Sequence, residues 1–567
     1  MDANFWSGKR PPGVVDTINP DEFKNVVEVL ETSVKKYADR PAFTSVFKTF
    51  TWGDIDRLSA DFAAYLQNHT NLQPGDRVAI QMPNIVQFPI AAYGALRAGM
   101  VLVNTNPLYT VREMKHQFND SGAKALIFMD TFGDKVQQVL PETGIEHLIV
   151  TSLADMREAP KRWLINGAVK HIKKMVPEFN LPQAVKFRSA LKQGAKHQMK
   201  VASPNSDDVA VLQYTGGTTG VAKGAMLTHR NLVANMLQVR ASLQQENPET
   251  GRPFMDVGNE TIIAPLPLYH IYAFTCHCMC MMSLGNHSVL VANPRDPAMF
   301  IKIIKPFQFT AFAGLNTLFV SLMHDPEFKN LDFSKLKMTL SGGTALVRAT
   351  AEKWKEMTGC DIGEGYGMTE TSPAVCLSPV GDYIKHGTVG LPVASTEIRL
   401  VDDDGQDVAE GERGELCVRG PQVMKGYWKR PEATAETFLD GEWLKTGDVA
   451  QIDEAGYISI VDRKKDMILV SGFNVYPNEI EDVVAKLPGV EHAAAIGIPD
   501  EKSGEAVKLF IVPDDKSLTV DQVKAYCREN LAGYKIPKHY EFREELPMTN
   551  VGKILRRELR DAELASN

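Results

Sequence analysis

Between Tyr214 and Ala225 the chain reads YTGGTTGVAKGA, four glycines and three threonines around one lysine. A glycine has no Cβ, so its backbone N–H can approach a ligand closely, and threonine hydroxyls donate hydrogen bonds to oxygens. With Lys223 as counter-charge, the run Tyr214, Thr215, Gly216, Gly217, Thr218, Thr219, Gly220 and Gly224 suits phosphate. It is not the common P-loop, in which Gly-Lys is followed directly by Ser or Thr. A plain Gly/Thr turn has the same composition. GYGMTE places Tyr366 between Gly365 and Gly367, followed by Thr369 and Glu370. There Tyr366 could stack on a base and Glu370 could hold Mg²⁺, which prefers carboxylate and phosphate oxygens; the alternative is a structural tight turn. WLKTGD sets Asp448 after Gly447, where a carboxylate could accept both hydroxyls of a ribose or simply close an Asx-turn. VDRKKDMILVSGFNVYP carries three consecutive cations, Arg463, Lys464 and Lys465. Lys553 follows a glycine in PMTNVGKILRREL, and one lysine among 62 Lys and Arg carries no signal by itself.

These residues need elements to hold them. VAIQM, VLVNT and ALIF read as short strands separated by helical patterns near 85–98 and from Val111, an alternation that argues a mainly parallel sheet with helices on its faces. VAVLQY repeats the strand pattern and the glycine-rich run follows it, at the carboxyl end of a strand where anion loops belong; the helical segment HRNLVANMLQV comes next. From about Glu397, EIRLV and ELCVRG alternate with period two between Gly-rich turns and predict short antiparallel strands. After Arg463 the texture changes again: Pro477 can open a helix, and HAAAIGI, VKLFIV and a helix near 520–531 complete a compact α+β unit. The expected fold is therefore α/β, with a large N-terminal part (1–462) and a small C-terminal domain (463–567). The large part divides into two α/β subdomains, about 1–206 and 207–395, and a β subdomain, 396–462.

At 567 residues the chain is too long for one core. Apolar content of 44% and charged content of 23% are those of an ordinary globular protein, and a net charge of −8 argues against a nucleic-acid binder. Seven cysteines, an odd number, make no disulfide framework and fit a reducing, cytoplasmic compartment; the N-terminus shows no signal-peptide pattern. Residues 261–294 contain no Asp, Glu, Lys or Arg, but prolines, histidines, Gly285 and Asn286 interrupt them, so a buried core is expected rather than a transmembrane span. The Cys276, Cys278, Cys280 alternation lacks a second cluster and reads as buried free thiols rather than a metal site. Residues 161–200 hold ten Lys or Arg and one acid, Glu178, interleaved with Trp163, Leu164, Ile172, Met175 and other apolar residues. That is either a solvated basic face or a surface touching anionic lipid, peripheral on the inner face of the cell membrane.

Five motifs in order, YTGGTTGVAKG, PLYH, GYGMTE, KTGD with DRKKDMILVSGFN, and NVGK, resemble the adenylate-forming acyl-CoA synthetases, and the resemblance spans about 51–559. The stretch 440–474 is similar to the fatty-acyl-CoA synthetase signature, in the style of the long-chain-fatty-acid ligases of bacterial fatty acid degradation. The resemblance implies ATP, Mg²⁺ and coenzyme A as reactants, a long-chain fatty acid as substrate, and acyl-AMP and pyrophosphate as products of the first step. It implies that the loop from Tyr214 to Gly224 cradles the β- and γ-phosphates, with Thr215 and Glu370 contacting Mg²⁺. Tyr366, Gly365 and Gly367 would hold adenine, with Gly343 on its other side, Thr369 would contact ATP or AMP, Asp448 and Arg463 the ribose, and His270 the acyl and adenylate pocket. Lys553 would reach the carboxylate and α-phosphate oxygens, Lys465 is the hinge of a mobile C-terminal domain, and Gly472 would line the pantetheine tunnel. Open alternatives are medium-chain or aryl acids, delivery to a carrier protein, and a degenerate nucleotide-binding membrane scaffold. A homodimer is also left open.

Overall fold

The computed structural model describes residues 5–215, 222–471, 473–500, 502–515, 517–549 and 553–566. The short apolar runs become one seven-stranded sheet: in spatial order Val185–Lys186, His147–Thr151, Ala123–Met129, Arg77–Gln81, Val101–Asn104, Val209–Thr215 and Lys223–Thr228. All neighbours but the last pair are parallel, and the helices Gln87–Arg97 and Val111–Ser121 make two of the crossovers. A nine-stranded sheet stands beside it, with a parallel centre built from Pro41–Ser45, His287–Leu290, Thr261–Ala264, Ala311–Gly314, Met338–Gly342 and Ile362–Gly367.

This pairing corrects the expected subdomain boundary at 206/207. Strands 209–215 and 223–228 belong to the first sheet, and strands Pro41–Ser45 and Lys48–Thr51 belong to the second. The cause is a shared core: helices Val26–Tyr37, Trp52–His69 and His229–Ser242 and the helical run 271–284 pack into one apolar cluster with residues of both sheets, among them Ile80, Phe43, Ile262 and Leu290. Helix Trp52–His69 is opened by a capping box, Thr51 with Asp54, a device that contributes about 1 kcal/mol.

The uncharged stretch 261–294 is buried as expected. Its helical run 271–284, widened to π geometry over Phe274–Cys280, is apolar on nearly all sides because core surrounds it. All seven cysteines are free. Among the described residues no group of His, Cys, Asp and Glu could hold a metal by itself, and no helix is long and apolar enough to cross a membrane.

A second difference lies after Tyr214. The expected order was strand, glycine-rich run, helix; the structure inserts the strand Lys223–Thr228, antiparallel to Val209–Thr215, before helix His229–Ser242 starts. KGAMLT has no clear alternation, and a partner two hundred residues away completes its pairing: Met226 N–H donates to the Gly426 carbonyl (2.9 Å) and Lys425 N–H to the Met226 carbonyl (3.0 Å).

Strands Glu397–Val401, Gly414–Arg419, Phe438–Leu439, Trp443–Ile452 and Ile458–Arg463 form an antiparallel sheet. The C-terminal lobe has its own five-stranded sheet and its own core around Ile480, Val484, Leu509, Ile511 and Val523. Pro477 does open a helix there, Pro477–Val484.

Candidate active site

A cleft of about 2550 Å³ lies between the large and small lobes. Its far wall is the end of a hairpin. Strands Trp443–Ile452 and Ile458–Arg463 pair so that Asp448 stands opposite Arg463, with Arg463 Nε 3.3 Å from Asp448 Oδ1. Tyr366 Oη donates to Asp448 Oδ2 at 2.6 Å. Each carboxylate oxygen keeps a second lone pair, so the buried Asp448 can still accept from ligand hydroxyls while two neighbours fix its orientation. The Tyr366 hydroxyl is occupied, which leaves its ring as the part free to meet a base.

Glu370 follows the strand Ile362–Gly367 in a single 3₁₀ turn, Thr369–Thr371. It is buried, and burial raises its pKa against the bond it accepts from Tyr427 Oη (2.7 Å). The Lys223 ammonium lies over the same Tyr427 ring, 5.1 Å from its centroid. Thr215 and Lys223 are cross-strand partners at the mouth of the hairpin. A buried carboxylate, a nearby threonine hydroxyl and a lysine form a hard-oxygen donor set with a cation beside it. Glu370 and Thr215 therefore fit Mg²⁺ carrying phosphate oxygens, and such an ion would relieve the cost of keeping Glu370 charged in its buried position.

Lys553 reaches this cleft from the small lobe. Its loop is held by paired bonds, Thr549 N–H to the Lys553 carbonyl (2.7 Å) and Lys553 N–H to Thr549 Oγ1 (3.0 Å). Burial lowers the ammonium pKa to about 8, with the Arg463 charge adding to the effect and Asp448 opposing it. His270 caps the start of the helical run 271–284, accepting from Tyr272 N–H through Nδ1 (3.3 Å). Burial holds its pKa near 4, so the imidazole is neutral at pH 7.

Residues 30–428 match the AMP-binding enzyme family and residues 479–553 match the AMP-binding enzyme C-terminal domain. The chain belongs to the AMP-binding enzyme family. It is 51% identical to the long-chain-fatty-acid–CoA ligase of Salmonella typhimurium over 98% of each chain. In structure it is similar to the anthranilate CoA ligase AuaEII in complex with anthranoyl-AMP (TM-score 0.84, 25% identity, 97% of this chain and 100% of that one). It is also similar to ATP-bound MatB from Rhodopseudomonas palustris (TM-score 0.78, 27% identity, 95% and 99%).

Of the site residues expected in this AMP-binding enzyme, Tyr214, Thr215, Lys223, His270, Gly343, Gly365, Tyr366, Gly367, Thr369, Glu370, Asp448, Arg463, Lys465 and Lys553 all line the one cleft. Gly224 does not: it stands against the Tyr214 ring, which a Cβ there would approach to 3.1 Å, while Tyr214 Oη donates to Asp120 Oδ2 (2.7 Å). Gly224 therefore packs against the tyrosine at the edge of the cleft. Gly216, Gly217, Thr218, Thr219, Gly220 and Gly472 lie outside the described residues.

Three residues escaped the sequence reading. Tyr427 joins Glu370 to Lys223 from 57 positions away, and no local spacing marks it. Glu364 lines the cleft two residues before Tyr366, and its carboxyl accepts from Leu346 N–H (3.2 Å). Burial pushes it up to about 7, with Asp482 of the small lobe adding in the same direction. An acid inside an otherwise glycine-rich strand end, GEGYG, was the available signal. The third is Arg556, three residues after Lys553.

Proposed function

We propose that this AMP-binding enzyme joins a long-chain fatty acid to coenzyme A in two half-reactions, with ATP as the activating substrate. In the first, the fatty carboxylate attacks the α-phosphorus of ATP, and acyl-AMP forms as pyrophosphate leaves. In the second, the thiol of coenzyme A attacks the acyl carbon, and AMP leaves as the thioester forms. The observation that carries this reading is a lysine from the small lobe enclosed in the same cleft as the Asp448–Arg463 pair of the large lobe. The first step brings two anions together, and unit charges about 4 Å apart repel by about 4 kcal/mol at an effective dielectric near 20. Lys553 and Arg463 offset that repulsion, Asp448 holds the ribose hydroxyls, and the Tyr366 ring supports adenine. Glu370 and Thr215 would hold Mg²⁺, which would supply positive charge against the phosphate oxygens. Lys223 adds a further charge on the phosphate side.

Leu266, Leu315, Val320 and Met323 give the cleft an apolar flank for the acyl chain, where each buried CH₂ is worth about 0.8 kcal/mol. ATP–pyrophosphate exchange across acids of increasing length tests the reading. Exchange should require a fatty acid and strengthen from medium to long chains; silence with every acid would sink it.

The reading places the enzyme in the cytoplasm, peripheral on the inner face of the cell membrane, and the segment 161–175 supports that placement. It carries five Lys or Arg and no acid. Ile172 (80%), Leu164 (69%) and Trp163 (64%) are the three most exposed large apolar side chains among the described residues, and Met175 is 53% exposed. Cations contribute about 1 kcal/mol each near an anionic surface. Replacing Lys170, Lys173 and Lys174 by Glu should abolish flotation with phosphatidylglycerol vesicles; unchanged flotation removes the membrane contact.

A further inference from the structure

Arg556 opens the last helix, Arg556–Ser566, three residues beyond Lys553. Its guanidinium holds Glu481 of helix Pro477–Val484 in a two-pronged contact, Nε to Oε1 (2.9 Å) and Nη2 to Oε2 (2.6 Å), and also donates to Asn478 Oδ1. These contacts lie within the small lobe. Its remaining nitrogen faces outward across the joint: Nη1 is 3.4 Å from Asp462 Oδ1 and 3.7 Å from Asp466 Oδ2. Arg560 Nη2 adds a second cation 3.6 Å from Asp466 Oδ1.

Asp462 is not part of the small lobe. It sits in the strand Ile458–Arg463, opposite Val449, and is fully buried. Its other oxygen, Oδ2, accepts from the Asn478 backbone N–H (2.8 Å), a second bond across the same joint. Lys465 lies between Asp462 and Asp466. One planar cation thus spans the joint on both sides, with Lys553 three residues away along the chain. An arginine with a fixed fork suits this task, because its donors reach several carboxylates without re-ordering a flexible stem.

We propose that Arg556 is a positioning residue that locks the small lobe in the orientation where Lys553 faces Asp448 and Arg463. A turn of the lobe about Lys465, the hinge that the resemblance implies, would require the Arg556–Asp462 and Asn478–Asp462 contacts to open. Arg556 therefore serves acyl-AMP formation and is released before thioester formation. The inference rests on the two-step reading above.

The test measures the two half-reactions separately: acyl-AMP and pyrophosphate from fatty acid and ATP, and thioester from supplied acyl-AMP and coenzyme A. Asp462→Asn cuts the cross-joint charge contact, Glu481→Gln cuts only the contact inside the lobe, and Arg556→Lys keeps the charge but loses the fork. Asp462→Asn and Arg556→Lys should each slow the first half-reaction about tenfold, a loss of about 1.4 kcal/mol, and leave the second unchanged or faster. The double variant should be no slower in the first half-reaction than the slower single one, since the Arg556–Asp462 contact is already lost in each. Glu481→Gln should not separate the two half-reactions. Equal loss in both, loss confined to the second, additive losses in the double variant, or no change at Asp462 overturns the proposal. Should Arg556→Lys fold poorly, as a shifted melting temperature reports, Asp462→Asn decides alone. A wild-type enzyme that forms no acyl-AMP from fatty acid would instead defeat the two-step reading and leave the joint contact a purely structural one.

Discussion

At Lys553 the proposed chemistry depends on one proton. Burial brings its pKa to about 8, so the ammonium is mostly charged at pH 7 and mostly neutral above 8. In the proposed reaction this charge offsets the repulsion between carboxylate and α-phosphate, and it is lost as pH rises through about 8. The kcat/KM for ATP in the first half-reaction, which reports free enzyme, should fall along that limb. In Lys553→Arg, whose charge persists, whatever activity remains should lack the limb. Lys553→Ala should lose about 10²–10³-fold in acyl-AMP formation yet largely spare thioester formation from supplied acyl-AMP. Equal loss in both half-reactions would argue against this division of labour. Tyr427 touches both neighbours: Lys223 lies over its ring and its hydroxyl donates to Glu370, so one side chain positions both groups.

At the level of elements, the site is assembled where strands end. The Asp448–Arg463 pair exists because a hairpin brings residues 15 apart in sequence into cross-strand register. GYGMTE also meets a steric requirement of the fold. At Gly367 a Cβ would come within 2.0 Å of the Pro373 carbonyl oxygen, so the strand can fold back onto Ala374–Leu377 only without a side chain there. Gly367→Ala should cost about 1–3 kcal/mol of stability and displace the turn that carries Glu370. A melting curve together with an Mg²⁺ titration of pyrophosphate exchange reads both effects; an unshifted Mg²⁺ requirement would detach the turn from metal binding. The strand Lys223–Thr228 shows the opposite case, an element whose own residues barely announce it and whose formation depends on the distant segment 425–428.

For the whole molecule, the two lobes are unequal partners. The large lobe shares one extensive core between two sheets, while the small lobe rests on a separate cluster around Ile480, Leu509 and Val523. Separate cores allow one lobe to loosen while the other stays folded. Leu509→Ala, which empties the centre of the small core, should cost about 2–5 kcal/mol there. Calorimetry should show the small-lobe transition moving down and the large-lobe transition unmoved. A single transition that shifts as one would mean the lobes unfold together.

Much of this was legible along the chain. Motifs such as YTGGTTGVAKG, GYGMTE and KTGD are contiguous, so their glycines, hydroxyls and carboxylates were visible as local chemistry; the reaction class came from the resemblance of their ordered set to the adenylate-forming acyl-CoA synthetases. The textures that separate the β-rich region after Glu397 from the α+β unit after Arg463 are local in the same sense. Which strands share a sheet was not local: residues 41–51 and 209–228 crossed the boundary that composition suggested, because burying one common core outweighs chain order. Tertiary structure alone also supplied Tyr427 beneath Lys223, and the contact from Arg556 across the joint to Asp462, 94 residues back. Such partners are chosen by distance in space and by the need to satisfy buried charge, and neither leaves a periodic trace in sequence.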